Sequence, residues 1–120
     1  MVTSINLAQK FALFADQWSP KIIAELNDND VKLAKLEGEF IWHQHAEEDE
    51  LFIVVKGELV IELRDGAVTL GPGELVVIPK GVEHRPVARE EVYVLLVEPK
   101  ATRHTGDVES ERTVHQYARI

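Results

Sequence analysis

The stretch that decides the fold runs from residue 38 to residue 84 and reads GEFIWHQHAEEDELFIVVKGELVIELRDGAVTLGPGELVVIPKGVEH. Short runs of β-branched and other apolar residues alternate in it with turn signals built from glycine, proline and aspartate. Such runs predict short β-strands joined by tight turns, as in a sandwich or barrel. Four side chains of metal-ligand type stand within this frame: His43, His45, Glu50 and His84.

Strand geometry indicates how these four side chains can meet. Side chains two residues apart on a strand share a face and lie roughly 6–7 Å apart, so His43 and His45 can converge on one ion. Glu50 follows a short acidic turn at the start of the next apolar run, so a hairpin brings its carboxylate beside them. His84 follows the turn Pro79-Lys80-Gly81, and only a sheet that curls around returns it to the same point.

The donor set narrows the kind of ion. Two histidines alone are also found on polar, solvated strand faces, but the addition of Glu50 and His84 favours a metal site over a degenerate empty pocket. Three imidazoles and one carboxylate suit one divalent transition metal (Mn, Fe, Co, Ni, Cu or Zn), because Mg and Ca prefer oxygen ligands. An ion that accepts five or six ligands keeps positions open for water, O₂ or substrate.

The two-part pattern resembles the motifs of the cupin superfamily, and the chain is similar to small single-domain bacterial cupins. The four candidate ligands occupy the positions that bind metal in many cupins, and the turn positions are filled by Gly57, Gly73, Pro79 and Gly81. Two positions depart from the motifs, since Gly38 is four rather than five residues before the first histidine and Ala88 replaces the usual asparagine. The resemblance implies an all-β fold, a double-stranded β-helix or jelly-roll barrel.

The rest of the chain is predicted to form one domain over residues 1–120, with the barrel core at about 21–98. A short helix is expected over residues 6–15, capped by Asn6 and ended by Ser19-Pro20. The polar tail 99–120 is expected to wrap the outside or to stay mobile. About nine strands are predicted, at 21–26, 31–36, 41–45, 50–55, 58–64, 67–70, 75–78, 84–87 and 92–97.

Composition excludes several classes of partner. The net charge of −8 repels phosphate backbones and anionic lipid surfaces, so neither nucleic acid nor a membrane is an expected partner. The absence of cysteine, of a secretory signal pattern and of a long apolar window predicts a cytoplasmic protein. The continuously apolar run Leu51 to Val55 needs cover on both faces, which favours a homodimer.

The expected function is a metal-dependent enzyme acting on a small polar molecule in the barrel. The resemblance implies a dioxygenase, isomerase or lyase type of reaction. Ile41 and Phe52 share the ligand face of their strands and are the candidate substrate-binding residues. Trp42 and Arg85 have the opposite parity and are expected outside the barrel.

Two other functions stay open. The alternative is a non-catalytic module that binds or senses a metal or a small molecule. A metal-free sugar epimerase or isomerase would need a histidine and tyrosine pair in the cavity, for which Tyr93 is the candidate. His104 and His115 lie outside both motifs, in polar sequence, and are expected to be exposed surface histidines.

Overall fold

The computed structural model describes residues 2–100 and 102–120, and within them the fold is almost entirely β. The elements in chain order are α1 Leu7–Phe11, β1 Lys21–Leu26, β2 Asn29–Glu39, β3 Glu50–Lys56, β4 Leu59–Leu63, β5 Gly66–Leu70, β6 Leu75–Ile78, β7 His84–Pro99 and β8 Ala118–Arg119. The predicted all-β jelly roll with a short N-terminal helix is confirmed.

Strand β7 organises the sheet, because it pairs with three other strands. Along one side it pairs with β2 almost throughout its length. Along its other side its first residues pair with β4, and its later residues pair with β3. The sheet order is therefore β5-β4-β7-β2-β1-β8, with β3 and β6 leaving it at β7. These pairings curl the sheet without closing it into a complete ring.

The core lies inside this curled sheet, and alternation along β7 shows how the sequence fills it. From the start of that strand to residue 88, and again from residue 92 to residue 98, every second side chain is buried. The exposed pair Arg89 and Glu90 lies between these two halves. The inward positions of β7 are His84, Pro86, Ala88, Val92, Val94, Leu96 and Glu98. Most of them pack in the apolar core, whereas the first and last carry polar groups to one end of the sheet.

The N-terminal helix is shorter than predicted. Asn6 caps it as expected, since its side-chain oxygen accepts a hydrogen bond from the backbone N–H of Gln9 at 2.9 Å. The helix ends at Phe11, however, and Leu13 is exposed. Phe11 stacks on Tyr93 with ring centroids 4.5 Å apart. One turn suffices to bury that ring, so the boundary at residue 15 and the role of Ser19-Pro20 as its end are wrong.

Two features of the predicted strand order are also wrong: one predicted strand is absent, and two others are a single strand. Residues 41–45 form no regular strand, and only an isolated antiparallel bridge joins His43 to His84. The predicted strands at 84–87 and 92–97 are one strand, β7. A long strand that bends serves both halves of the fold, so the charged residues between its two apolar runs do not mark a turn.

The tail beyond residue 99 neither wraps the outside nor stays free of the barrel. Thr102, His104 and Thr105 are buried, and the tail ends in β8, which pairs in parallel with β1. No helix among the described residues is long and apolar enough to cross a membrane.

Candidate metal centre

Three chain segments bring the four predicted ligands together. Glu50 opens β3, and His84 opens β7. His43 is tied to that strand by two backbone hydrogen bonds, from its own N–H to the carbonyl of His84 at 3.0 Å and back at 2.9 Å. The carbonyl of His45 accepts a hydrogen bond from the N–H of Gly81, in the turn before β7. The irregular segment 41–45 is thus fixed without strand pairing.

The four side chains form one buried cluster. The potential ligand atoms of His43, His45, Glu50 and His84 all lie within 4.8 Å of one another. Nε2 of His84 lies 3.0 Å from Oε1 of Glu50, and Nε2 of His45 lies 3.0 Å from Oε2 of the same carboxylate. The contact from His45 has the length of a hydrogen bond but not its angles.

Backbone carbonyls orient two of the imidazoles. Nδ1 of His43 lies 2.9 Å from the carbonyl oxygen of Ile41, and Nδ1 of His84 lies 3.0 Å from that of Val82. Each Nδ1 is therefore assigned as the donor. Nε2 of His43 then carries a lone pair, whereas Nε2 of His84 is hydrogen-bonded to Glu50 and would offer its lone pair once an ion replaced the shared proton. Nε2 of His43 is buried and has no hydrogen-bond partner among the described residues. A metal ion would satisfy that lone pair, and the donor set of three imidazoles and one carboxylate fits a divalent transition metal.

The electrostatics of the cluster favour a neutral His43 imidazole near an ionised Glu50 carboxylate. Burial and the neighbouring His84 lower the pKa of His43 to about 4. Burial also lowers the pKa of His45, but the Glu50 carboxylate outweighs burial and leaves that pKa raised. Burial raises the pKa of Glu50, yet its contacts with His45 and His84 outweigh burial and leave that pKa well below the ordinary value. One negative charge among three histidines is an arrangement that a cation stabilises.

The family model described as Cupin domain matches residues 29–99, which is more than half of the chain. The chain belongs to the cupin family. It is 55% identical to a cupin-2 domain containing protein from Shewanella frigidimarina, whose crystal structure superposes with a TM-score of 0.79 and covers 80% of this chain and 94% of that one. A protein from Neisseria meningitidis is 33% identical, with a TM-score of 0.74 and coverage of 82% and 100%. The uncharacterized protein YdbB of Bacillus subtilis is 43% identical over 79 residues, which are 65% of this chain and 70% of YdbB.

A second buried pair in this cupin was missed by sequence reasoning. Nζ of Lys32 lies 3.5 Å from Oε1 of Glu98, and both side chains are fully buried. Burial raises the pKa of Glu98 to about 8, with a further contribution from the charge of Glu50. Alternation from His84 along β7 leads to Glu98 and would have placed it inside the barrel.

A small cavity adjoins the cluster. Its volume is about 30 Å³, and its walls include His43, Glu50 and Phe52. The predicted pocket neighbour Phe52 is therefore at the cavity, with its ring centroid 6.4 Å from that of His84. Ile41 packs half-buried against the core and holds His43 through its carbonyl.

Three other candidate residues lie on the outside of the barrel. Trp42 is half-buried, with the guanidinium of Arg64 stacked 3.9 Å from its ring centroid. Arg85 is partly exposed and bonds Glu62 on the neighbouring strand, with Nε 2.7 Å from Oε1. Tyr93 stacks on Phe11 instead of reaching the cavity, so it does not supply the tyrosine of an acid/base pair.

The prediction that His104 is an exposed histidine is wrong. Its side chain is 8% exposed and lines the same cavity as His43. His115 is exposed, as predicted. Trp18 and Phe40 form the adjoining wall as a stacked pair with centroids 4.5 Å apart. The sequence around His104 is polar and carries no periodic apolar pattern, so no local signal revealed its burial.

Proposed function

We propose that this cupin binds one divalent transition metal ion through His43, His45, Glu50 and His84, and that it is a metal-dependent enzyme acting on a small molecule in the barrel. The observation that carries the proposal is the convergence of four ligand-type side chains, with a buried Nε2 that has no partner among the described residues. Because structural zinc sites are usually closed by four ligands, the accompanying cavity favours a site that also admits a ligand.

The ion, when bound, would supply Lewis-acid chemistry or, if redox active, chemistry with O₂. The protein's own residues would do the rest. The backbone carbonyls of Ile41 and Val82 fix two imidazole rings, and fixed rings keep each Nε2 at the cluster before an ion arrives. Phe52 and the other apolar walls would exclude water and bind the hydrocarbon part of a substrate.

The reaction type stays open among oxidation, isomerisation and lyase chemistry. Phe52, and less directly Ile41, are the proposed substrate-binding residues. The small volume and the apolar walls support a small substrate with an apolar part. The same features also support the second candidate, a non-catalytic module in which the ion orients a small ligand.

A homodimer is proposed on the basis of one apolar surface. Leu75 and Val77 on β6 are exposed, and they pair with the half-buried Ile53 and Leu51 of β3. The four side chains form an apolar patch on the outer face of the two strands, hereafter the β3–β6 patch. A second copy of the chain would cover it, as the apolar run in β3 requires.

The metal site is tested by metal content after reconstitution and desalting. Glu50→Gln removes the only anionic ligand while keeping its size, so it should lose most of the ion that the wild-type protein retains. His115→Gln is the matched control, because His115 is an exposed histidine whose replacement should leave the metal content unchanged. Equal metal content in wild type and Glu50→Gln would reject the site. Turnover or oxygen uptake with small acids, diketones, phenols and sugars then separates an enzyme from a binding module.

A further inference from the structure

The C-terminal strap, defined as residues 102–117, contributes His104 to the wall of the cavity. The N–H of Asp107 donates to the carbonyl of Gln44 at 3.0 Å, directly between the ligands His43 and His45. Gly106 makes this approach possible, since a Cβ there would lie 2.1 Å from the same carbonyl oxygen. The strap is therefore pressed against the segment that carries two of the proposed metal ligands.

The fold of the strap places His104 inside. The Tyr117 hydroxyl accepts a hydrogen bond from the backbone N–H of His104 at 2.7 Å and donates to the carbonyl of Thr102 at 2.9 Å. The imidazole lies beside Phe40, with ring centroids 5.3 Å apart. Phe40 also contacts His43, and their ring centroids lie 5.4 Å apart. His104 thus faces the cavity near the metal centre but belongs to a different segment.

Neither ring nitrogen of His104 has a hydrogen-bond partner among residues 2–100 and 102–120. Burial lowers the pKa of this imidazole to about 4, so it is neutral at pH 7 and offers one N–H donor and one lone pair. The backbone of Trp18 and of Arg112 acts on that pKa in the opposite direction, but neither makes a hydrogen bond of ordinary geometry with the ring. A buried polar ring without such partners destabilises the fold, and a bound ligand would offset this.

We infer that His104 recognises the ligand of this site, a small and largely apolar molecule with two separated oxygen functions, one at the His43–Glu50 cluster and one hydrogen-bonded to the His104 imidazole. This inference rests on the proposed metal-dependent function. A neutral donor and acceptor pair suits a hydroxyl or carbonyl group, and the walls formed by Trp18, Phe40 and Phe52 suit hydrocarbon between the two oxygens. The cavity of about 30 Å³ is small, so it favours the shortest hydrocarbon link that can separate the two oxygens. The family match ends at residue 99, so the strap adds this recognition outside the matched region.

The test compares hydroxyketones with simple ketones on zinc-loaded protein. The probes are hydroxyacetone and 4-hydroxy-2-butanone, with acetone and 2-butanone as the matched single-oxygen controls, and dissociation constants are measured by NMR titration. Wild type should bind at least one hydroxyketone roughly 3- to 10-fold more tightly than its matched ketone, as one added hydrogen bond provides. His104→Phe should reduce that ratio to about one, and His104→Gln, which keeps a donor and an acceptor, should restore part of it.

Two further readouts, the ring ¹⁵N resonances and the zinc content, keep this test separate from that of the metal site. The ¹⁵N resonances of the His104 ring should shift when the hydroxyketone binds, and those of exposed His115 should not. His104→Phe should retain as much zinc as wild type. If zinc is retained and wild type shows no preference, or His104→Phe keeps the preference, the role of His104 is rejected while the metal site stands. If wild type retains no zinc, both proposals fall.

Discussion

Replacing His104 with phenylalanine should make the metal-free protein less sensitive to acid. The folded state holds this imidazole neutral, with its pKa lowered from 6.5 to about 4 by burial. The unfolded state therefore binds a proton between these two pH values while the folded state does not. Stability supplied by the neutral form is complete above pH 6.5 and is lost as the pH falls through about 4.

The size of the effect follows from the pKa difference. Each unit corresponds to 1.36 kcal/mol, so the difference between 6.5 and about 4 costs the wild-type protein about 3 kcal/mol on going from pH 7 to pH 4. His104→Phe loses this contribution. The variant also removes two buried nitrogens that have no partners among the described residues. Its free energy of unfolding at pH 7 should therefore exceed that of wild type by about 1 kcal/mol.

The assay is urea unfolding at pH 7, 5.5 and 4, with a chelator present to remove metal. The buried groups His43 and Glu98 titrate in both proteins, so their contributions cancel in the difference between the two unfolding free energies. His115→Phe serves as the control, since an exposed histidine should not change the pH dependence. A difference between wild type and His104→Phe that stays constant from pH 7 to pH 4 would show that His104 is not buried as described.

Three further outcomes are expected. Gly106→Ala should displace the C-terminal strap, because its Cβ would lie 2.1 Å from the Gln44 carbonyl oxygen. Limited proteolysis should therefore cut the strap faster than in the control Gly71→Ala, where the nearest contact is a flexible carboxylate. Equal cleavage rates would contradict the close approach. Metal affinity should fall as the pH drops below about 6, because protons compete with the metal for the imidazoles. They should compete first at His45, whose raised pKa keeps it protonated to higher pH than His43. A flat affinity from pH 5 to pH 8 would count against imidazole ligation. Leu75→Lys with Val77→Lys should convert a dimer into monomers in analytical ultracentrifugation, and an unchanged sedimentation coefficient would show that the β3–β6 patch is not the interface.

The sequence predicted the convergence of His43, His45, Glu50 and His84 because the signals for it are local. The histidine pair, the hairpin carboxylate and the histidine after a proline-glycine turn are each tied to a strand or turn signal within a few residues. His43 and His45 nevertheless reach the cluster from irregular backbone, with one isolated bridge at His43, so their convergence does not come from a regular strand. The backbone hydrogen bonds to His84 and Gly81 hold them there instead.

The parts that could not be predicted depend on contacts between distant segments. The strap is polar, and parts of it are buried because it packs against Gln44 and Phe40. No periodic pattern in its sequence predicts these contacts. The sequence did not reveal that β7 is continuous, because the exposed charged residues Arg89 and Glu90 resemble a turn. The burial of Glu98 could have been predicted from the sequence, since this residue continues the inward alternation of its strand.

The most direct test of the metal centre is X-ray absorption spectroscopy on zinc-reconstituted wild-type protein and on Glu50→Gln. For wild type we expect one zinc per chain, with nitrogen and oxygen ligands at about 2.0–2.2 Å and the outer-shell scattering of several imidazoles. The Glu50→Gln sample should contain much less zinc. A wild-type spectrum without imidazole scattering, or one that Glu50→Gln leaves unchanged in both zinc content and shape, would contradict the assignment of His43, His45, Glu50 and His84 as ligands.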